Sequence, residues 1–180
     1  IPLEEDKKRN MQEIKFAVAD DAELISKLVN SGYRGDYSRQ GWTSEVDLLD
    51  GTRIDAEGVR EAIHRPETII LKYLLDDHIV GCVELTVSQD KMYLGMLTVE
   101  PQLQAKGIGR SLIQYAEKLA QEKKLSAIFM TVISDRKELI AWYNRLGFLF
   151  TGEIRPFDAN DPVFGIPKKK LEFVVLEKKI

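Results

Sequence analysis

Leu97 to Leu112 reads L-T-V-E-P-Q-L-Q-A-K-G-I-G-R-S-L: a strand ends, a loop with two glycines follows, and a helix begins at once. The first turn of a helix carries N–H groups with no intrahelical partner, and its dipole favours negative charge there. Glycine lets those N–H groups approach an anion with no Cβ in the way. Lys106 and Arg110 add positive charge around the same turn. The backbone from Ala105 to Arg110, with Gly107, Ile108 and Gly109 at its centre, is therefore a candidate pyrophosphate cradle, and the Ser111 hydroxyl lies beside it. Taken alone, Q-x-x-G-x-G is also what a tight turn requires. It lacks the spacing and the Lys-Ser/Thr pair of a G-x-x-x-x-G-K-S/T loop. It also lacks the third glycine of the dinucleotide pattern G-x-G-x-x-G.

Working outward, Lys91 to Val99 reads as a strand ended by Pro101, and Arg110 to Lys124 as a helix with Leu112, Ile113, Ala116, Leu119 and Ala120 on one stripe. The apolar run Ala127 to Ile133 suits a strand buried on both faces. Arg136 to Leu146 is helical, with Leu139, Ile140, Tyr143 and Leu146 on one side and Gly147 as its stop. Upstream, Glu67 to Leu75 and Ile79 to Val87 are strands joined at an Asp76-Asp77 turn. Asp55 caps a short helix through His64, which Pro66 ends. Gly32 to Thr52 is irregular. Asp20 caps a helix carrying Leu24, Ile25, Leu28 and Val29. Gln12 to Ala19 alternates Ile14, Phe16 and Val18 as a half-buried strand. Phe148 to Ile154 and Leu171 to Lys178 are two last strands around a proline-bearing loop. The order β-α-α-β-β-β-α-β-α-β-β predicts an α/β (α+β) domain, a mixed sheet with helices on both faces.

The chain has 180 residues and a formal net charge of -3, with 44% hydrophobic and 31% charged residues. That length supports one domain with a full core, placed here at residues 11–180. Residues 1–10 read as a disordered extension. A duplex-binding surface would show a strong basic excess, so no nucleic-acid partner is expected. No apolar run approaches a membrane span. A single cysteine, Cys82, suits a reducing compartment, and a cytoplasmic location is expected. Two histidines and one cysteine form no metal-ligand cluster, so no metal is expected.

The strand M-Y-L-G-M-L-T-V (92–99), the loop Q-A-K-G-I-G (104–109), its helix, the next strand and S-D-R-K-E-L-I-A-W-Y-N-R-L-G-F (134–148) together resemble the GNAT superfamily of N-acetyltransferases. G-W-T-S-E-V-D-L-L-D-G-T-R-I-D (41–55) resembles a bacterial-type subgroup of it with undefined acceptors. The resemblance implies a mostly antiparallel, twisted sheet of six to seven strands. It implies acetyl-CoA as cosubstrate and a primary amine as acceptor, on a small molecule or peptide, joined by direct attack in a ternary complex.

By the same resemblance, Leu97, Thr98 and Val99 would meet the pantetheine arm, and Gln104 through Ser111 would hold the pyrophosphate. Tyr143 matches the tyrosine that protonates the departing thiolate, although its place on the apolar stripe also suits core packing. Many members carry asparagine seven residues before that tyrosine. This chain has Arg136 there, able to meet a CoA phosphate or cap the helix region. Glu84 is the candidate base on the neighbouring strand, or else a solvent-facing strand residue. Asp36, Glu45 and Asp47 would attract a cationic amine or else form a solvated loop, and Tyr37 and Trp42 would wall the acceptor or else pack down on the core. Edge strands near the C-terminus allow a homodimer. The alternatives are a non-catalytic acyl-CoA sensor or interaction module, which would need neither Tyr143 nor a base, and an unrelated nucleotide-binding domain.

Overall fold

The structure, a computed structural model, describes residues 11–157 and 166–180. The expected extension at 1–10 and the centre of the proline-bearing loop lie outside the described residues. In chain order the elements are β1 (Gln12–Phe16), α1 (Ala22–Tyr33), β2 (Leu49–Asp50), α2 (Ala56–His64), β3 (Thr68–Leu75), β4 (His78–Ser88), β5 (Lys91–Val99), α3 (Ile108–Glu122), β6 (Ala127–Ile133), α4 (Lys137–Arg145), β7 (Leu149–Pro156), β8 (Ile166–Pro167) and β9 (Glu172–Lys179). Seven strands form one sheet in the order β1-β3-β4-β5-β6-β9-β7, and β2 pairs with β8 apart from it. Only β5 and β6 run parallel; every other neighbouring pair in the sheet is antiparallel. The mixed, mostly antiparallel sheet is as the sequence predicts.

Both faces are covered. Leu112, Ile113 and Ala116 of α3 pack with Tyr143 and Phe148 against Leu71, Val83, Leu85, Leu94 and Ile128. On the other face, Ile25 and Val29 of α1 and Val59 of α2 pack on Ile70, Cys82 and Met96. In β3 and β4 neighbouring residues alternate between the two faces, as a sheet sandwiched between helices demands, whereas in β5 Leu94 and Met96 fall on opposite faces because the pairing with β4 shifts between them.

Three local expectations change. The α1 helix starts after Asp21, because a 3-10 turn over Ala19–Asp21 uses up the Asp20 position, and Leu24 points to solvent. In β1 only Ile14 is partly buried, while Phe16 and Val18 are more than half exposed at this edge of the sheet. The stretch expected to be irregular from Gly32 is helical through Tyr33, then makes a 3-10 turn over Asp36–Gln40 and the short strand β2. By contrast, the Asp55 cap is as expected: its carboxylate accepts the Gly58 N–H at 2.7 Å.

Candidate active site

The site begins as a fault in the sheet. β5 pairs with β6 only over Lys91–Tyr93, although both strands continue. On its other edge β5 carries a bulge, where Met96 and Leu97 face the single residue Val83 and Met96 takes a φ of 54°. The two devices turn the end of β5 away from β6. Thr98, fully enclosed, clasps the bulge by donating from Oγ1 to the Met96 carbonyl at 3.1 Å. The splay opens two cavities, one of about 220 Å³ and one of about 60 Å³. Tyr33, Leu97, Arg136, Leu139 and Tyr143 line both, so the cavities meet at those side chains.

The larger cavity runs to the start of α3. Gly107 occupies the N-cap position with φ 88°, no side chain caps the helix, and no acidic residue sits in its first turn. The first N–H groups are thus left to solvent or to an anion. Ala105 also has a positive φ. Gly109 and Arg110 line the cavity, whereas Lys106 and Ser111 do not, and the Ser111 hydroxyl donates to the Gly107 carbonyl at 3.0 Å. Gln104 acts as a strut. Its Nε2 donates to the Val99 carbonyl at 3.2 Å, and its Oε1 accepts the Trp42 N–H at 2.9 Å. Gly41 makes this approach feasible, since a Cβ there would stand 2.2 Å from Gln104 Oε1.

Tyr143 is buried at the meeting point, with the Trp142 ring centroid 5.0 Å away on one side and Phe148 at 6.0 Å on the other. Burial pushes its phenol well above the ordinary tyrosine range, so it stays protonated. Tyr33 joins it from the end of α1. Its hydroxyl donates to the Leu97 carbonyl at 2.9 Å, and desolvation raises its pKa to about 12.

The smaller cavity is built around Glu45. This buried carboxylate accepts from Arg34 at 2.9 Å and from Arg136 at 3.0 Å. Arg136 also donates to Thr43 at 2.8 Å, and Thr43 to Glu138 at 3.0 Å, tying the loop to α4. Glu45 is therefore saturated by cations and is not available to attract a cationic amine. Arg136 is buried in this network and also lines the larger cavity. Asp47 is exposed and paired with Arg39. Of Asp36 only the backbone is described. Trp42 lines the larger cavity, 5.9 Å from Trp142, and so lies on the cofactor side. Tyr37 lines neither cavity; it is bonded to Glu100 at the surface. Glu84 lines neither as well, but it stands in register with Gly95, which does line the smaller one. Cys82 is buried, and desolvation raises its thiol to about 12, which makes it an inert core residue. Among the described residues, no His/Cys/Asp/Glu group is arranged to hold a metal ion, and no helix is long and apolar enough to cross a membrane.

Sequence reasoning missed Tyr33, Arg34 and Arg53. Tyr33 and Arg34 come from a segment with no motif of its own, Arg53 lies within the 41–55 stretch without standing out in it, and only the tertiary fold brings the three together at the smaller cavity.

A splayed parallel strand pair beside an uncapped helix start forms a cleft whose free N–H groups suit an anionic ligand. The chain belongs to the acetyltransferase (GNAT) family, which matches residues 22–148. No curated protein sequence matches it. Its fold is similar to that of the ribosomal-protein-S18-alanine N-acetyltransferase of Escherichia coli, with TM-score 0.69 and 14% identity over 94% of each chain. It is also similar to the PaiA N-acetyltransferase of Thermoplasma acidophilum solved with coenzyme A, with TM-score 0.65 and 20% identity over 94% of this chain and 99% of that one. An N-acetyltransferase of Staphylococcus aureus gives TM-score 0.70 and 13% identity over 94% and 97%.

Proposed function

We propose that this protein transfers the acetyl group of acetyl-CoA to an amine by direct attack in a ternary complex. The observation that carries this reading is the meeting of two cavities at Tyr33, Leu97 and Tyr143. One cavity leads to an uncapped helix start suited to phosphates, and the other enters from the opposite side of the splay. The residues fit coenzyme A, as the positive φ at Gly107 and the absence of a side-chain cap leave N–H groups for its pyrophosphate. Leu97 and Val99 border its pantetheine arm. The bound cosubstrate supplies an acyl group activated as a thioester.

The acceptor nitrogen enters from the smaller cavity and attacks the acyl carbon as the C–S bond breaks. Holding both reactants at one junction supplies much of the acceleration. The thiolate then needs a donor. Tyr143 fits this role as a hydrogen-bond donor, because a phenol whose pKa is raised by burial stays neutral and keeps its proton available. The proton lost by the amine leaves through water toward Glu84, one strand back from Gly95.

Tyr143→Phe tests this. Turnover should fall by on the order of 10- to 100-fold, the value of one hydrogen bond to a developing charge. The dissociation constant for acetyl-CoA, read by calorimetry, should change little. Unchanged turnover would remove Tyr143 from the mechanism, and a parallel loss of acetyl-CoA binding would reassign it to packing.

A further inference from the structure

The side chains that line both cavities are those of Tyr33, Leu97, Arg136, Leu139 and Tyr143. Leu97 and Leu139 are apolar, and a guanidinium has hydrogen-bond donors only. A side-chain hydrogen-bond acceptor at the junction is therefore one of the two phenols. Their protons go to different places. Tyr33 donates its single O–H to the Leu97 carbonyl at 2.9 Å, beyond Tyr93, where β5 last pairs with β6. A carbonyl oxygen can only accept, so that proton is committed and the Tyr33 oxygen has lone pairs left to offer. Donating to the carbonyl also polarises the oxygen and makes it a better acceptor. Arg53 and Arg136 stand 5.8 and 5.6 Å from the centroid of the Tyr33 ring, so more than one contact fixes where its hydroxyl points. Tyr143, on the acetyl-transfer reading, spends its proton on the departing sulfur.

We infer that Tyr33 is a second catalytic residue, whose phenolic oxygen accepts one N–H of the attacking amine and so orients it. The inference rests on the acetyl-transfer reading above. A neutral primary amine carries two N–H groups and one lone pair. With one N–H held by Tyr33, the lone pair turns to the acyl carbon. The C–N bond forms as the C–S bond breaks, the second hydrogen leaves as a proton through water, and the sulfur is met by Tyr143. The hydrogen held by Tyr33 is never transferred: it stays on nitrogen and becomes the N–H of the product amide. Tyr33 therefore changes neither charge nor protonation, which suits a phenol whose desolvation disfavours ionisation. A secondary amine has a single N–H and must lose it to form the amide, so it cannot keep the contact to the end. The two phenols thus divide the reaction, Tyr143 donating to the leaving group and Tyr33 accepting from the nucleophile.

The test uses the whole protein, saturating acetyl-CoA and CoA release as readout, with ethylamine and dimethylamine as probes. The two are isomers, one with two N–H groups and the other with one. At about 60 Å³ the smaller cavity has about twice one water's share of liquid volume, so the probes must be this small. Tyr33→Phe keeps the ring and removes the hydroxyl. The ratio of kcat/KM for ethylamine to that for dimethylamine should fall about 5- to 10-fold from its wild-type value, the worth of one hydrogen bond. The acetyl-CoA dissociation constant, read by calorimetry, should hold. Both amines are measured on one variant, so a partial loss of folded protein cancels in the ratio. Equal slowing of the two amines would overturn the inference and leave Tyr33 as a brace for β5. Unchanged kinetics would also overturn it, as would a fall in acetyl-CoA affinity large enough to explain the loss. So would wild-type protein that binds acetyl-CoA and acetylates neither probe. Failure of the wild-type protein to bind acetyl-CoA is a separate result, which removes the acetyl-transfer reading and this inference with it.

Discussion

The two sides of the cleft are made of different materials. The side proposed for the cofactor is one continuous stretch, Gln104 to Ser111, and it offers main-chain N–H groups and two positive φ angles. The acceptor side is made of side chains from separate places: Glu45 bonds Arg34, 11 residues before it, and Arg136, 91 residues after it. A site made of backbone depends on conformation and tolerates most side-chain changes. A site made of buried charges depends on each partner, because removing one leaves the others uncompensated. On the proposed reading, one domain holds its cofactor by a fixed local device while its acceptor wall is set by a few distant residues.

The largest expected effect lies on the acceptor side. Glu45→Ala strips the shared carboxylate from two buried guanidinium groups and should cost about 3–5 kcal/mol of unfolding free energy. Urea titrations of the two proteins would measure it. A loss below about 1 kcal/mol, the scale of an exposed pair, would mean that the network is wet and that the contrast between the two sides fails.

The next effect belongs to the cradle. Gly107→Glu puts a Cβ at φ 88° and a carboxylate where the pyrophosphate would lie. Acetyl-CoA should bind about 100-fold more weakly or worse, from backbone strain together with competition for the helix start. The fold should persist, since a carboxylate at a helix N-terminus suits the dipole and nothing lies within 4 Å of the new Cβ. Gly107→Ala separates the two causes, as it keeps the strain without the charge. Unchanged calorimetric affinity in Gly107→Glu would show that the loop is only a turn.

The same contrast explains what could be read from the sequence. The cradle was legible because each of its devices is local: strand end, glycine, helix start. β5 and β6 were legible to the residue, since apolar runs between turn signals mark strands well. The bulge at Met96 was not, although Gly95 stands beside it, because it arises from how β4 pairs with β5. Glu45 was singled out for its charge and given the wrong partner. An acidic loop residue looks solvated until the fold brings Arg136 to it. Tyr33 was invisible for a similar reason, its hydroxyl bond being to Leu97, 64 residues away.

The smallest expected effect is spectroscopic, and it probes the junction where the two sides meet. Burial penalises a phenolate, so the folded protein holds Tyr33 and Tyr143 neutral above their ordinary pKa. As pH rises past about 10, the unfolded chain releases those protons first. The folding stability they contribute is whole below pH 10 and is drained between 10 and about 12, the folded value for Tyr33. An absorbance titration should therefore show these two phenols lagging, with exposed Tyr37 also held back by its hydrogen bond to Glu100, and Tyr33→Phe should remove one of the pair. Turnover should show no alkaline limb from Tyr143 below pH 10. If every tyrosine instead titrates near pH 10 with the fold intact, water reaches the junction freely, and the neutral donor assigned to Tyr143 loses its physical basis.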